Sequence, residues 1–246
     1  MPEPAGSECR PALALLAGGL ATRLRPLTLA MPKSMIEVAG EPFIAHQLRL
    51  LARQGINDIV ICAGYLGEQI EGYVADGAAF GCSVRYSFDS GRLLGTGGAL
   101  RKALPLLGDR FFVMYGDSYL PTTFGAILQV FERAGLPALM TVFRNAGRWD
   151  TSNVEFVDGV IRRYDKVDRT PAMLHIDYGL GILARDALEV RRAKDAFDLA
   201  DLYRDLAARG LLAGFEVHER FYEIGSPAGL DETDAFLRQR SSGDRL

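Results

Sequence analysis

From residue 12 to residue 143, short apolar runs alternate with segments of helical periodicity, and this alternation most limits what the chain can fold into. Residues 12–16, 58–62, 83–86, 110–115 and 138–143 have strand length and are mostly apolar, as strands covered on both faces are. Between them, 42–54, 67–75, 97–104 and 123–134 are expected to be helical. In the first of these, Phe43, Ile44, Gln47, Leu48, Leu51 and Ala52 place apolar groups mostly at helical spacing. Strand–helix alternation predicts a parallel sheet with helices on both faces. Ligands of such sheets sit beyond the carboxyl ends of the strands.

The second half has a different texture. Residues 152–156, 160–164 and 175–183 read as strands, with Asp158-Gly159 as a hairpin turn. A helix is expected over 199–209, and a last one after Pro227, a residue suited to a first helical turn. No break in composition marks a linker, so residues 1–246 are expected to form one domain. Within it, about 11–143 and about 144–238 form two halves, 1–10 a loose tail, and 238–246 an end that frays.

A net charge of −3 gives no global attraction to nucleic acid or membrane. Cys9, Cys62 and Cys82 are too scattered for a disulfide framework, and no CxxC pair suggests zinc. Cys62 and Cys82 read as small buried apolar groups. The start, Met1-Pro2-Glu3-Pro4, is not that of a signal peptide, and no run of 18 apolar residues occurs. A cytoplasmic setting is expected.

The densest motif is Leu16-Ala17-Gly18-Gly19-Leu20-Ala21-Thr22-Arg23-Leu24-Arg25-Pro26-Leu27-Thr28, followed by Pro32-Lys33. It opens directly after the first strand. Adjacent glycines let the backbone approach a ligand. Backbone N–H groups in such a turn can point at phosphate or at a base edge. Arg23, Arg25 and Lys33 set positive charge beside it. The combination suits a polyphosphate, although a glycine turn with solvated arginines reads the same locally. The turn lacks P-loop spacing, and no G-x-G-x-x-G occurs in the chain.

This string, together with Leu94-Gly95-Thr96-Gly97-Gly98-Ala99-Leu100, Tyr115-Gly116-Asp117 and Glu223-Ile224-Gly225-Ser226-Pro227, resembles the signature of the sugar-1-phosphate nucleotidyltransferases. Order and spacing are similar over about residues 11–238. The nearest subgroup is the short enzymes related to heptose-1-phosphate and mannose-1-phosphate guanylyltransferases and to muramate-1-phosphate uridylyltransferase. The resemblance implies an α/β fold of the nucleotide-diphospho-sugar transferase type. That is a Rossmann-like mixed, mainly parallel sheet flanked by helices, with a small strand-rich extension that binds the acceptor. It implies that an NTP and a sugar 1-phosphate yield a nucleotide sugar and pyrophosphate with Mg2+ as cofactor, and it leaves a homodimer open. The string from Leu94 to Ala99 resembles the guanylyltransferase version, and the resemblance implies GTP with a hexose or heptose 1-phosphate.

In such a reaction a phosphate oxygen attacks the α-phosphorus, and the obstacle is charge. The remedies are cations and positioning. Asp117 closes an apolar strand; locally it reads equally as a turn aspartate, and the resemblance makes it a metal ligand. Glu223 stands where the family has aspartate. It is either a second metal ligand or a strand-end carboxylate that caps the next helix. Arg23 is expected to grip the triphosphate, since guanidinium forks phosphate oxygens, and Lys33 to meet phosphate. Ala17, Gly18, Gly19 and Thr22 belong to the nucleotide turn. Gly97 and Gly98 are expected to border the base. Tyr65 either lines that pocket or packs in the core.

Asp165-Lys166 resembles the family's Glu-Lys pair, in which the lysine meets the sugar phosphate and the acid a sugar hydroxyl. Asp165 is the shorter acid. Asp177, two residues before Gly179, stands where relatives have the asparagine of an Asn-x-Gly motif near the sugar. Trp149 and Asp150 are either sugar-pocket or packing residues. Two other readings remain open. One is a catalytically inactive nucleotide-sugar sensor. The other is a uridylyl- or cytidylyltransferase with another phosphorylated acceptor, of which phosphocholine would need an aromatic cage.

Overall fold

The first apolar run becomes β1 (Leu13–Ala17), whose side chains alternate between two buried faces. Leu13 and Leu15 enter one core, Ala14 and Leu16 the other. A short antiparallel pair, β2 (Glu37–Val38) and β3 (Glu41–Pro42), leads into α1 (Phe43–Arg53). The computed structural model describes residues 10–19, 22–89, 91–149, 151–191 and 196–243. Leu20 and Ala21 of the glycine motif, Asp150, and the tail up to residue 9 lie outside the described residues.

Next come β4 (Asp58–Ala63), α2 (Gly67–Val74), β5 (Ser83–Phe88) and α3 (Gly95–Ala103). They are followed by β6 (Arg110–Tyr115), β7 (Ser118–Tyr119), α4 (Phe124–Ala134) and β8 (Ala138–Arg144). The second half adds β9 (Val154–Val157), β10 (Val160–Tyr164), β11 (His175–Ala184), α5 (Leu199–Ala208), β12 (Leu212–Val217), β13 (Tyr222–Glu223) and α6 (Pro227–Gly243).

The main sheet has nine strands in the order β5-β4-β1-β6-β11-β8-β12-β10-β9. It is mixed. β5, β4, β1 and β6 run parallel, and so do β8 and β12. β11 is antiparallel to both neighbours, as is β10. The second half therefore does more than cover the first: β11 lies in the middle of the sheet, against β6. Ile44, Leu48 and Leu51 of α1, Ile70 of α2 and Phe124 and Ile127 of α4 cover one face. Leu100 of α3 and Leu202, Tyr203 and Leu206 of α5 cover the other. Burying each such side chain contributes about 1.5–3 kcal/mol, so both faces are held.

Three sequence expectations change. No strand is expected over 212–217, yet β12 forms there, parallel to β8. Its run is short and interrupted by Gly214, so only its neighbours in the sheet decide it. The helix expected from Gly97 starts at Gly95. The end expected to fray from Arg238 instead continues α6 to Gly243, and Arg238 Nε donates to Asp234 Oδ2 at 2.6 Å. No described helix is long and apolar enough to cross a membrane.

The turns that leave β1 and β4 touch. A Cβ added to Gly64 would stand 2.7 Å from Gly18 O and 3.0 Å from Gly18 Cα. Across the sheet edge, fully buried Gln47 of α1 donates from Nε2 to Tyr115 O at 3.1 Å and to Ser118 O at 2.8 Å. One side chain thus satisfies two carbonyls of the segment that carries Asp117. Gln47→Leu keeps the volume and leaves both carbonyls without that donor. It is expected to lower stability in urea by about 1–3 kcal/mol.

Candidate active site

A cavity of about 450 Å³ opens at the carboxyl ends of β1, β4 and β6. Ala17, Gly18, Gly19, Arg23, Lys33 and Asp117 line it, so most of the glycine motif's candidates and the first acidic candidate share one space. Thr22 lies in the short helical turn of 22–24 that carries Arg23. Arg23 is exposed there, beside the glycines.

Lys33 and Asp117 both line the cavity, and Lys33 Nζ donates to Asp117 Oδ2 at 2.7 Å. Ser118 Oγ donates to Asp117 Oδ1 at 3.2 Å. β13 pairs antiparallel with β7, which sets Glu223 opposite Ser118, and Ile224 N donates to Asp117 O at 2.9 Å. The strand pair therefore places the two acidic candidates side by side, although 106 positions separate Asp117 from Glu223 in the chain. Glu223 also caps the entry to α6. Its Oε2 accepts from Gly225 N at 2.7 Å and its Oε1 from Ser226 Oγ at 3.4 Å. A Cβ on Gly225 would lie 2.0 Å from Glu223 Oε2 and 3.2 Å from Lys33 Nζ, so Lys33 stands beside both acids.

Other candidates are placed differently. Gly97 and Gly98 do not line the cavity; their N–H groups donate to Phe197 O at 2.9 and 3.2 Å. A Cβ on Gly97 would come within 2.2 Å of the Phe197 ring. Gly95 and Thr96, two residues earlier, line the cavity instead. Tyr65 is also outside the lining, and its hydroxyl donates to Leu29 O at 2.9 Å, bracing the turn of 27–29. Asp165 is turned into a local loop. Its Oδ1 accepts from Val167 N at 2.8 Å and Asp168 N at 2.9 Å, and these bonds hold its carboxyl below the usual range.

Asp177 lies in β11. Gly179 N donates to its Oδ1 at 3.0 Å, and Tyr164 OH to its Oδ2 at 3.5 Å. Burial pushes its carboxyl up from the ordinary 3.8, while the Lys166 charge and these two bonds pull it down. Lys166 is exposed and does not line the cavity, but its charge reaches Asp177. A Cβ on Gly179 would lie 3.5 Å from both Ser118 Oγ and Tyr115 Cδ2. Tyr115 lines the cavity, so this group adjoins the Asp117 end. Trp149 is covered by the Arg220 guanidinium, 3.6 Å from its ring centre, which makes it a packing surface. Cys62 lies in the cavity wall, and burial first, then Asp89, pushes its thiol up to about 12.

Two further lining acids, Asp89 and Asp198, escape sequence reasoning. Asp89 follows a strand as any turn residue does. Asp198 precedes α5 and reads as an ordinary cap. Among the described residues no group of three His, Cys, Asp or Glu side chains is placed to hold a metal ion.

The family described as Nucleotidyl transferase matches residues 13–161. N-acetylmuramate alpha-1-phosphate uridylyltransferase of Neisseria meningitidis serogroup B is 41% identical over 116 residues, 47% of this chain and 50% of that protein. That match therefore spans only half of the relative's length. The protein of the same name from Caulobacter vibrioides is 30% identical over 92% of this chain and 96% of its own. D-glycero-alpha-D-manno-heptose 1-phosphate guanylyltransferase of Campylobacter jejuni is 27% identical over 87% of this chain and 94% of its own. The crystal structure of HddC from Yersinia pseudotuberculosis complexed with GMP-PN superposes with a TM-score of 0.76 at 21% identity, covering 93% of this chain and 100% of that one. At that identity the likeness shows a common fold.

Asp177 supplies a pH test. Below its unfolded value the carboxyl is neutral in both states and costs nothing. As pH rises above that value, the folded state resists ionisation and loses stability relative to the unfolded chain. Asp177→Asn should therefore gain melting temperature over the wild type at pH 7 relative to pH 3, which lies below the ordinary 3.8. A constant difference between the two pH values would contradict the assignment.

Proposed function

The chain belongs to the nucleotidyl transferase family, and on that premise we propose that it joins an NTP to a sugar 1-phosphate, forming a nucleotide sugar and releasing pyrophosphate. The observation that carries the reading is the Lys33–Asp117 pair at 2.7 Å, set against the glycine turn with Arg23 and Glu223 beside it. Two polyanions must meet there. A sugar phosphate is already ionised near neutral pH, so no general base is needed and the work is charge compensation and alignment.

Arg23 takes the triphosphate oxygens as a fork, and Lys33 offsets charge near the α-phosphate. Backbone N–H groups of the turn at Gly18 and Gly19 meet the same ligand. Asp117, in the turn before β7, and Glu223, on the strand paired with β7, present hard oxygen donors, which fits a divalent cation completed by phosphate oxygens, and Mg2+ in particular. Bound there, the ion would supply Lewis-acid compensation of phosphate charge. Both Glu223 oxygens already take a hydrogen bond at the helix entry, and each keeps a lone pair for a ligand.

The acceptor fits the side of Tyr115, where Asp177, Gly179 and Lys166 converge. Lys166 is placed to offset the acceptor phosphate, and Asp177 to accept from a sugar hydroxyl of a hexose or heptose. Asp165 acts through the turn that presents Lys166.

Pyrophosphate release measured with NTPs and sugar 1-phosphates tests the reading. Activity should vanish in excess chelator and return with Mg2+. Asp117→Asn should remove most activity while shifting the melting temperature little, since a partly exposed ion pair contributes about 0–1 kcal/mol. Lys166→Ala should raise the KM for the sugar phosphate and leave NTP affinity, titrated alone, nearly unchanged. Full turnover in chelator, or loss of NTP binding in Lys166→Ala, would contradict these assignments.

A further inference from the structure

The cavity has two chemically different ends. Asp117 follows β6, Gly18 follows β1, Cys62 lies in β4 and Asp89 follows β5. The lining thus crosses three strand spacings, about 14 Å at the usual separation. Arg23 and Lys33 are the cations among the described lining residues, and Lys33 is paired to Asp117. The β5 side instead offers Asp89, Leu93, Gly95 and Thr96, with Asp198 beside them. A triphosphate belongs at the first end, which leaves the base to the second.

Asp198 is not spent on its own helix. It occupies the cap position of α5 with extended backbone, yet its side chain makes no cap bond. Thr96 caps the helix from another segment, its Oγ1 accepting from Leu199 N at 2.7 Å. The Asp198 carboxylate is left exposed, its Oδ1 3.2 Å from the place a Cβ of Gly95 would take. Asp89 is held by Leu94 N, which donates to its Oδ2 at 3.3 Å. Its Oδ1 has no hydrogen-bond partner among the described residues.

We propose, resting on the nucleotidyl-transfer reading, that Asp89 and Asp198 read the base and select guanine. Carboxylates only accept. Guanine sets N1–H beside the N2 amino group, so its edge offers adjacent donors to such a surface. Uracil and thymine flank one N–H with two carbonyl oxygens, which a carboxylate repels. Adenine and cytosine place a ring acceptor next to their amino group. Selectivity follows from repulsion of the wrong edge as much as from attraction of the right one.

The test measures kcat/KM for pyrophosphate release with GTP, ITP, dGTP, UTP, CTP and ATP over a panel of hexose and heptose 1-phosphates, alongside calorimetric titration of GTP and UTP alone. The wild type should prefer GTP. ITP, which lacks the N2 amino group, should lose about tenfold or more, as sites built for a donor do, while dGTP stays close to GTP. Asp89→Asn and Asp198→Asn should each reduce the GTP-to-UTP ratio by about tenfold, with sugar-phosphate KM and melting temperature nearly constant. A wild type that prefers UTP would overturn the proposal and leave the transferase reading standing. So would variants that weaken every NTP alike, or loss of dGTP with ITP intact, which would move the carboxylates to the ribose. If no pair released pyrophosphate, the transferase reading would fall, and the GTP and UTP titrations would still decide the base.

Discussion

The site rests on two backbones passing in contact at the carboxyl ends of β1 and β4. With a Cβ on Gly64 only 2.7 Å from Gly18 O, neither turn has room for a side chain between them. The parallel register of β4, β1 and β6 brings their ends to one edge, where Gly116 N donates to Leu16 O at 2.9 Å. Three chain segments are thereby packed so closely that a ligand resting on them meets main-chain groups. Arg23, Lys33 and Asp117 project from the same segments. Their convergence follows from the sheet, which brings Lys33 and Asp117 to 2.7 Å although they are far apart in the chain.

The Lys33–Asp117 pair at 2.7 Å is only partly sheltered. Its side chains are 15% and 36% exposed, so the pair contributes little to stability and is readily exchanged. Glu223 is less free, since its carboxylate also holds the start of α6. That carboxylate therefore stands between the helix entry and Lys33. Gln47, fixed in α1, keeps the intervening segment still.

The second half enters the site through the sheet. β11 pairs with β6, so Gly179 abuts Tyr115 and Ser118, and Asp177 is carried to within reach of the cavity wall. The loop before α5 docks on the opposite wall. There Phe197 fills the space that Gly97 leaves empty and its carbonyl takes the N–H groups of Gly97 and Gly98. The glycines expected to face a base thus serve to seat a loop, and that loop presents Asp198 to the cavity.

The strands of the first half were legible because both of their faces are buried, which demands continuous apolar runs such as Phe111 to Met114. The glycine turn and its cations were legible because close backbone approach restricts residue type at the position itself. β12 was not, since a short run around Gly214 acquires strand geometry only from β8 and β10. Nor were the fates of Tyr65 and Asp165, whose polar atoms were claimed by backbone groups nearby. Asp198 shows the limit most clearly: its sequence position is that of a helix cap, and only the arrival of Thr96 from α3 releases its carboxylate. The sequence by itself determined the layered α/β architecture and the glycine turn at the end of the first strand, because burial periodicity and steric room act along the chain. Tertiary structure decided which polar groups stay free for a ligand, because hydrogen-bond partners are allotted by distance in space.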